Sequence, residues 1–178
     1  MSKFVTVVNG RQTLESSVNV STGPTDQGRV PELDASGRLD QSMMPVGVGA
    51  DVAIKPASET LSAGSYVNIW NDAGVAKVRK ADGSVVGKEV HGFVLDSVVD
   101  GANAMVYFEG RNTQLTGLTP GARYYLSDTL PGSVTATPVT AAGHIHQYIG
   151  VAVSATEINF EVSDPITIFI SPKQPLVL

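Results

Sequence analysis

The sequence predicts an all-β protein with two tandem small barrel or sandwich modules behind an extended N-terminal arm. Apolar runs of roughly four to eight residues recur at short intervals, and Gly, Pro, Asn and Asp separate them. No stretch shows the apolar spacing expected of a helix of about ten residues or more. One pattern of about 55 residues also occurs twice, which is the signature of a duplicated structural unit.

The duplication is carried by three pairs of matching phrases. They are LSAGSY (61–66) with LTPGARY (118–124), GFVL (92–95) with GVAV (150–153), and VYFE (106–109) with INFE (158–161). The phrases keep their order, and each copy ends in a strand. We therefore divide the chain into four parts. They are an arm at 1–50, a first β module at 51–112, a second at 113–170 and a tail at 171–178.

The arm opens with two short elements. Residues 4–8, FVTVV, form a β-prone run, and the turn signal Asn9-Gly10 follows. Residues 14–20 predict a strand or a short helix, and the alternation around Val18 and Val20 favours a strand. Residues 21–37 are rich in Ser, Thr, Gly, Pro and Asp, which is typical of an extended linker.

The modules show the two-residue alternation of half-buried strands. A first strand starts at Val52 and should break at Pro56. In the next strand Val67 and Ile69 should share one face, with Tyr66, Asn68 and Trp70 on the other. The closing strand of the second copy repeats this pattern, because Ile158 and Phe160 alternate with polar residues.

The composition excludes several classes of function. The net charge is −5 and only 16% of residues are charged, which argues against direct nucleic-acid binding. There is no cysteine, so disulfides, thiolate metal sites and cysteine nucleophiles are excluded. No apolar run approaches the roughly 20 residues of a membrane-spanning helix.

No catalytic motif emerges, so we expect a protein that is not an enzyme and has no cofactor. Glu157 and Glu161 should lie about 13 Å apart along a strand, too far for a glycosidase pair. His144 and His146 share one face of a predicted strand. They are either surface histidines or, in a three-fold oligomer, ligands of a transition metal; the first interpretation is favoured because no third ligand lies nearby in sequence.

The arm contains the most telling phrases: TGPTDQGRVP (22–31), LDASGRLD (33–40) and MMPVGVG (43–49). These, with GARYYLS (121–127) and GVAVSATEINFE (150–161), resemble small virion structural proteins of tailed bacteriophages. In that group a short N-terminal segment leads through a similar phrase into β modules. The likeness spans most of the chain, and its motifs are structural phrases without chemistry.

The resemblance implies a capsid decoration (cement) or head-fibre protein on the outer surface of the virion, assembled in the bacterial host cytoplasm. It implies the major capsid protein as partner, self-association into a homotrimer, and no direct contact with nucleic acid or membrane. The alternative is a tail-fibre or baseplate component that binds a host-surface glycan or another tail protein. Apolar arm residues would make the partner contact, and we select Phe4, Val5, Val7, Leu33, Leu39, Met43 and Met44.

Overall fold

The computed structural model describes residues 2–35, 37–44 and 51–169 and is nearly all β, as the sequence predicts. The chain divides into two compact units, Met1–Gly49 and Ala50–Leu178. The predicted tail at 171–178 lies outside the described residues. Within the described part, helical structure is limited to two 3₁₀ turns of three residues each, Pro24–Asp26 and Gln41–Met43.

The N-terminal unit is built around an antiparallel hairpin of β1 (Lys3–Val8) and β2 (Arg11–Ser16). The predicted turn is confirmed: Asn9 and Gly10 both have positive φ, 52° and 76°. This conformation matches the twist of paired strands, and Asn-Gly adopts it at low cost. The second strand therefore begins at once after the turn, earlier than the predicted start at residue 14.

The segment predicted as a linker contains local structure. Val18 pairs with Pro31 in a parallel bridge, and the first 3₁₀ turn lies between them. The Asp26 carboxylate accepts hydrogen bonds from the Thr22 amide at 2.6 Å and the Thr22 hydroxyl at 2.8 Å. These bonds lower the pKa of Asp26. Short polar side chains thus replace the regular ladder that the sequence lacks here.

The second unit contains two five-stranded antiparallel sheets and a two-stranded pair. The first sheet has the order β3-β7-β6-β4-β5. Its strands are β3 (Val52–Pro56), β4 (Tyr66–Asp72), β5 (Val75–Lys80), β6 (Gly92–Phe93) and β7 (Asn103–Tyr107). Pro56, predicted to break the first strand, is its last residue and pairs with Asn103. It is tolerated because β3 is an edge strand.

The second sheet has the order β8-β13-β12-β9-β10, which is the order of the first sheet strand for strand. Its strands are β8 (Gly110–Asn112), β9 (Arg123–Leu126), β10 (Val134–Thr135), β12 (Tyr148–Ala152) and β13 (Ile158–Phe160). The remaining pair is β11 (Ile145–His146) with β14 (Ile166–Thr167). β8 lies in the interval assigned above to the first module, but it pairs with the second sheet.

The two copies also share hydrogen bonds at matching positions. The Gly64 amide donates to the Val94 carbonyl at 2.9 Å, and the Gly121 amide donates to the Ala152 carbonyl at 2.8 Å. Both glycines have positive φ, 78° and 81°. With this register Tyr66 corresponds to Arg123, a residue earlier than the match of the two tyrosines in the sequence phrases.

Each sheet has two faces, which we name by their residues. The front face carries Tyr66, Phe93 and Tyr107 in the first sheet, and Arg123, Val151 and Asn159 in the second. The rear face carries Val67, Ile69, Val94, Val106 and Phe108 in the first sheet, and Tyr124, Leu126, Ala152, Ile158 and Phe160 in the second.

The core has two layers. One cluster lies on the rear face of the first sheet, where Ala57 and Leu61 help to cover it. The larger cluster joins Tyr66 and Phe93 to the rear face of the second sheet, so the two copies share one apolar core. Neither sheet closes on itself within the described part, so the observed architecture is packed open sheets and contains no barrel.

Candidate functional site: the exposed face of the N-terminal hairpin

The hairpin displays an apolar face to solvent. Val5 lies directly opposite Leu14, and Val7 follows two residues later on the same face. These side chains are 62%, 69% and 65% exposed, respectively. Three neighbouring aliphatic side chains at such exposure are unusual for a two-stranded element, and contiguous apolar surface of this kind marks an interaction site.

The outer edge of β1 is also open. A two-residue turn makes Val8 and Arg11 a hydrogen-bonded pair, and hydrogen-bonded pairs then alternate along the ladder. The Ser17 amide bonds the Ser2 carbonyl at 3.0 Å, as this alternation requires. The backbone groups of Val5 and Val7 consequently point away from β2. Within the described residues no strand pairs with this edge, so it can accept an added strand.

Glu32 fixes the base of the hairpin. Its carboxylate accepts from the Ser2 amide at 2.9 Å, the Ser2 hydroxyl at 2.7 Å and the Ser17 hydroxyl. The hydroxyl bonds of Ser17 and Ser2, followed by the Ser2 amide, lower the pKa of Glu32 to about 2. Arg29 adds a bond from its guanidinium to the Ser16 carbonyl at 3.0 Å. The apolar face is thus presented on a braced hairpin.

The structure separates the predicted arm residues into groups. Val5 and Val7 lie together on the apolar face, whereas Phe4 lies half-buried on the opposite face. The other four lie outside the hairpin; Leu33, Leu39 and Met44 are exposed and Met43 is half-buried. The role of all seven in partner binding stays a prediction.

Leu14 was missed by the sequence reasoning, although a signal was present. The two-residue turn at Asn9-Gly10 places residue 14 opposite residue 5, since each step from the turn pairs one residue of each strand. An uncertain choice between strand and helix for residues 14–20 concealed this pairing.

The two histidines considered as metal ligands have separate partners. His144 Nδ1 lies 2.9 Å from an Asp128 carboxylate oxygen, and His146 Nδ1 lies 3.2 Å from the Val139 carbonyl oxygen. Among the residues that the structure describes, no three His, Asp or Glu side chains are grouped to hold a metal ion. Asn159 donates to Glu161 at 2.6 Å, which ties up one of the two glutamates considered above.

A cavity of about 540 Å³ opens beside the rear face of the first sheet. Ile69, Val90 and Phe108 supply apolar walls, and Glu89 and Asp164 supply carboxylates. The second copy contributes Gln147, Val162, Ser163 and Pro165 as well as Asp164. Gln147 is fixed there, because its side chain bonds the Val90 amide at 2.8 Å and the Val90 carbonyl at 3.1 Å.

Comparison with known proteins adds no identity. No protein-family model matches the chain, and no curated protein matches it. In the described residues, no helix has the length and apolar character needed to cross a lipid bilayer.

Proposed function

We propose that the protein is a capsid decoration or head-fibre protein of a tailed bacteriophage, which binds the assembled capsid through its N-terminal unit and acts as a trimer. The observation that carries the proposal is the exposed hairpin face of Val5, Val7 and Leu14 beside an open strand edge. A hairpin of this kind fits β-strand addition to a partner, in which backbone bonds give affinity and alternate side chains give specificity. The resemblance of the arm phrases supplies the class of partner.

The energetics favour several hairpins acting together. Burying one aliphatic side chain that is about two-thirds exposed contributes roughly 1–2 kcal/mol, so three contribute roughly 3–6 kcal/mol. Association costs an estimated 4–15 kcal/mol in lost translational and rotational freedom. One hairpin therefore binds weakly by its apolar face alone, and three hairpins on a trimer gain through their high effective concentration.

The function proposed is stabilisation by mass action. A ligand that binds the assembled shell and not its separated parts stabilises the shell, by about 2.7 kcal/mol per site at 100 times its dissociation constant. Many such sites on one capsid would oppose the pressure of packaged DNA. No covalent bond is made or broken in this role.

The test is binding of purified protein to capsids of the phage that encodes it. Val7→Glu places a charge on the hairpin face and should reduce capsid occupancy about tenfold or more, since a buried carboxylate without a partner is costly. Val86→Glu is the matched control, because Val86 is 58% exposed in the other unit. Equal occupancy of the two variants would refute the hairpin as the contact.

Removal of residues 1–45 tests the same proposal on a larger scale. The units are separate in the fold, so the remainder should fold and should no longer join particles. Normal decoration by the truncated protein would assign the contact elsewhere. Imaging of intact particles distinguishes the alternative role: a decoration protein occurs in hundreds of copies on heads, whereas a tail-fibre or baseplate component occurs in a few.

A further inference from the structure

The two copies within the chain meet by a head-to-tail contact. Tyr66 and Phe93, on the front face of the first sheet, pack on Phe160, on the rear face of the second. Ring centroids lie 5.9 Å apart for Tyr66 and Phe160, and 5.4 Å apart for Phe93 and Phe160. Because the sheets are repeats, each carries both kinds of face, and one face of each kind is left over.

The first unused face is the rear face of the first sheet. Ile69 and Phe108 correspond to Leu126 and Phe160, which the other copy covers. Here the same positions form the wall of the cavity. Val90 lies both in the shared core and in the cavity wall, so the cavity continues the contact that already joins the copies.

The second unused face is the front face of the second sheet. Arg123 stands at the position of Tyr66 and is exposed. Its guanidinium carbon lies 4.8 Å from the centre of the Tyr148 ring, and Tyr125 packs edge-on against that ring at 6.0 Å. This face therefore offers a cation held on an aromatic platform.

The two unused faces are complementary in charge. The rim of the cavity carries the carboxylates of Glu89 and Asp164, while the face that would enter it carries Arg123. In the contact inside the chain both sides are apolar. The replacement of Tyr66 by arginine at the corresponding position is explained if its partner surface has acidic groups at the rim.

We infer that a second copy of this chain docks its Arg123 face into the cavity beside Ile69 and Phe108, and so repeats between chains the contact found within each chain. The contact is heterologous, which means that it leads to a closed ring or to an open filament. A ring of three chains would place six β modules in one cycle. The inference deepens the proposed trimer by naming its contact surfaces.

The test is sedimentation equilibrium of the full-length protein over a range of concentrations, without capsids. Arg123→Glu and Asp164→Arg should each weaken self-association about tenfold or more, since like charges would then face each other. The double variant restores opposite charges and should associate within about threefold of the original protein. Arg38→Glu, an exposed change in the N-terminal unit, should have no effect.

A monomer at all concentrations would overturn the inference, as would association that survives both single variants. Failure of the double variant to restore association would also overturn it, provided that circular dichroism shows each variant folded. Weakening by Arg123→Glu together with saturable binding of an acidic oligosaccharide to the monomer would assign the face to a glycan instead. None of these outcomes bears on capsid binding by the hairpin, so the two proposals fail separately.

Discussion

Phe160 and Phe108 occupy corresponding positions in the two copies, and substituting each by alanine tests whether the second unit has one core. Phe160 is 6% exposed and lies between Tyr66 and Phe93 of the first copy. Phe108 is half-buried, and one side of it faces the cavity. The pair thus compares the same residue at one position in the repeat, with and without a covering sheet.

The expected losses differ by severalfold. Phe160→Ala removes a fully packed ring and leaves a cavity, which costs about 3–5 kcal/mol, including its two aromatic pairs. Phe108→Ala removes a ring that already contacts solvent, and partial burial of this kind contributes about 1–2 kcal/mol. For a unit of this size the midpoint of thermal unfolding should fall by roughly 10–20 °C in the first variant and by less than about 8 °C in the second.

The assay uses the position of the single tryptophan. Trp70 lies in the first sheet, where its indole N–H donates to the Ser58 hydroxyl at 3.1 Å and Arg79 stacks 4.7 Å from its ring centre. Urea unfolding followed by Trp70 fluorescence reports the first sheet, and far-ultraviolet circular dichroism reports both. In Phe160→Ala the two signals should move together to lower urea.

Two results would refute this reasoning. If Trp70 unfolds at an unchanged midpoint in Phe160→Ala, the two sheets are independent modules and the shared cluster does not couple them. If Phe108→Ala costs as much as Phe160→Ala, the covering of the rear face is alike in both copies and the cavity has no energetic meaning.

Three other substitutions have clear expectations. Tyr66→Phe should leave stability unchanged or raise it by up to about 1 kcal/mol, because the buried Tyr66 hydroxyl has no hydrogen-bond partner among the described residues and burial raises its pKa; a loss above about 1 kcal/mol in urea unfolding would contradict this. Gly92→Ala should cost about 1–3 kcal/mol, since its methyl group would lie 2.5 Å from the Tyr107 carbonyl oxygen; unchanged unfolding would show that the neighbouring strand yields freely. Glu32 has a pKa lowered from 4.5 to about 2, so its contribution to the N-terminal unit is complete above pH 4.5 and lost as pH falls towards 2. Amide chemical shifts of the hairpin should follow that titration, and Glu32→Gln should abolish it; an unchanged titration in Glu32→Gln would assign it to another carboxyl group.

The fold class was predictable because strand formation leaves local traces. The alternation of Tyr66, Val67, Asn68 and Ile69 defined two faces before any partner was known, and the structure confirms that Val67 and Ile69 share one cluster while Tyr66 joins the other. Predicted surface exposure of His91 is confirmed too, with its Nδ1 accepting from the Ile69 amide at 3.0 Å.

The candidate site was predictable only in part. The β-prone run and its turn indicated a hairpin, and Val5 and Val7 are on its exposed face. Sequence patterning gave no sign that Glu32 would brace the hairpin, because Ser2 and Glu32 are 30 residues apart. Phe4 was grouped with Val5 by composition, although strand alternation places them on opposite faces.

From the order of its residues this chain determines that it forms short antiparallel strands, that one strand pattern is used twice, and where the turns occur, since these depend on neighbours within a few positions. How the copies pack was decided by the tertiary structure. The phrases aligned Tyr66 with Tyr124, but backbone pairing aligns Tyr66 with Arg123 and places Tyr124 on the rear face. A shift of one residue in a strand exchanges its two faces, and the choice between registers is made by contacts between residues far apart in the chain.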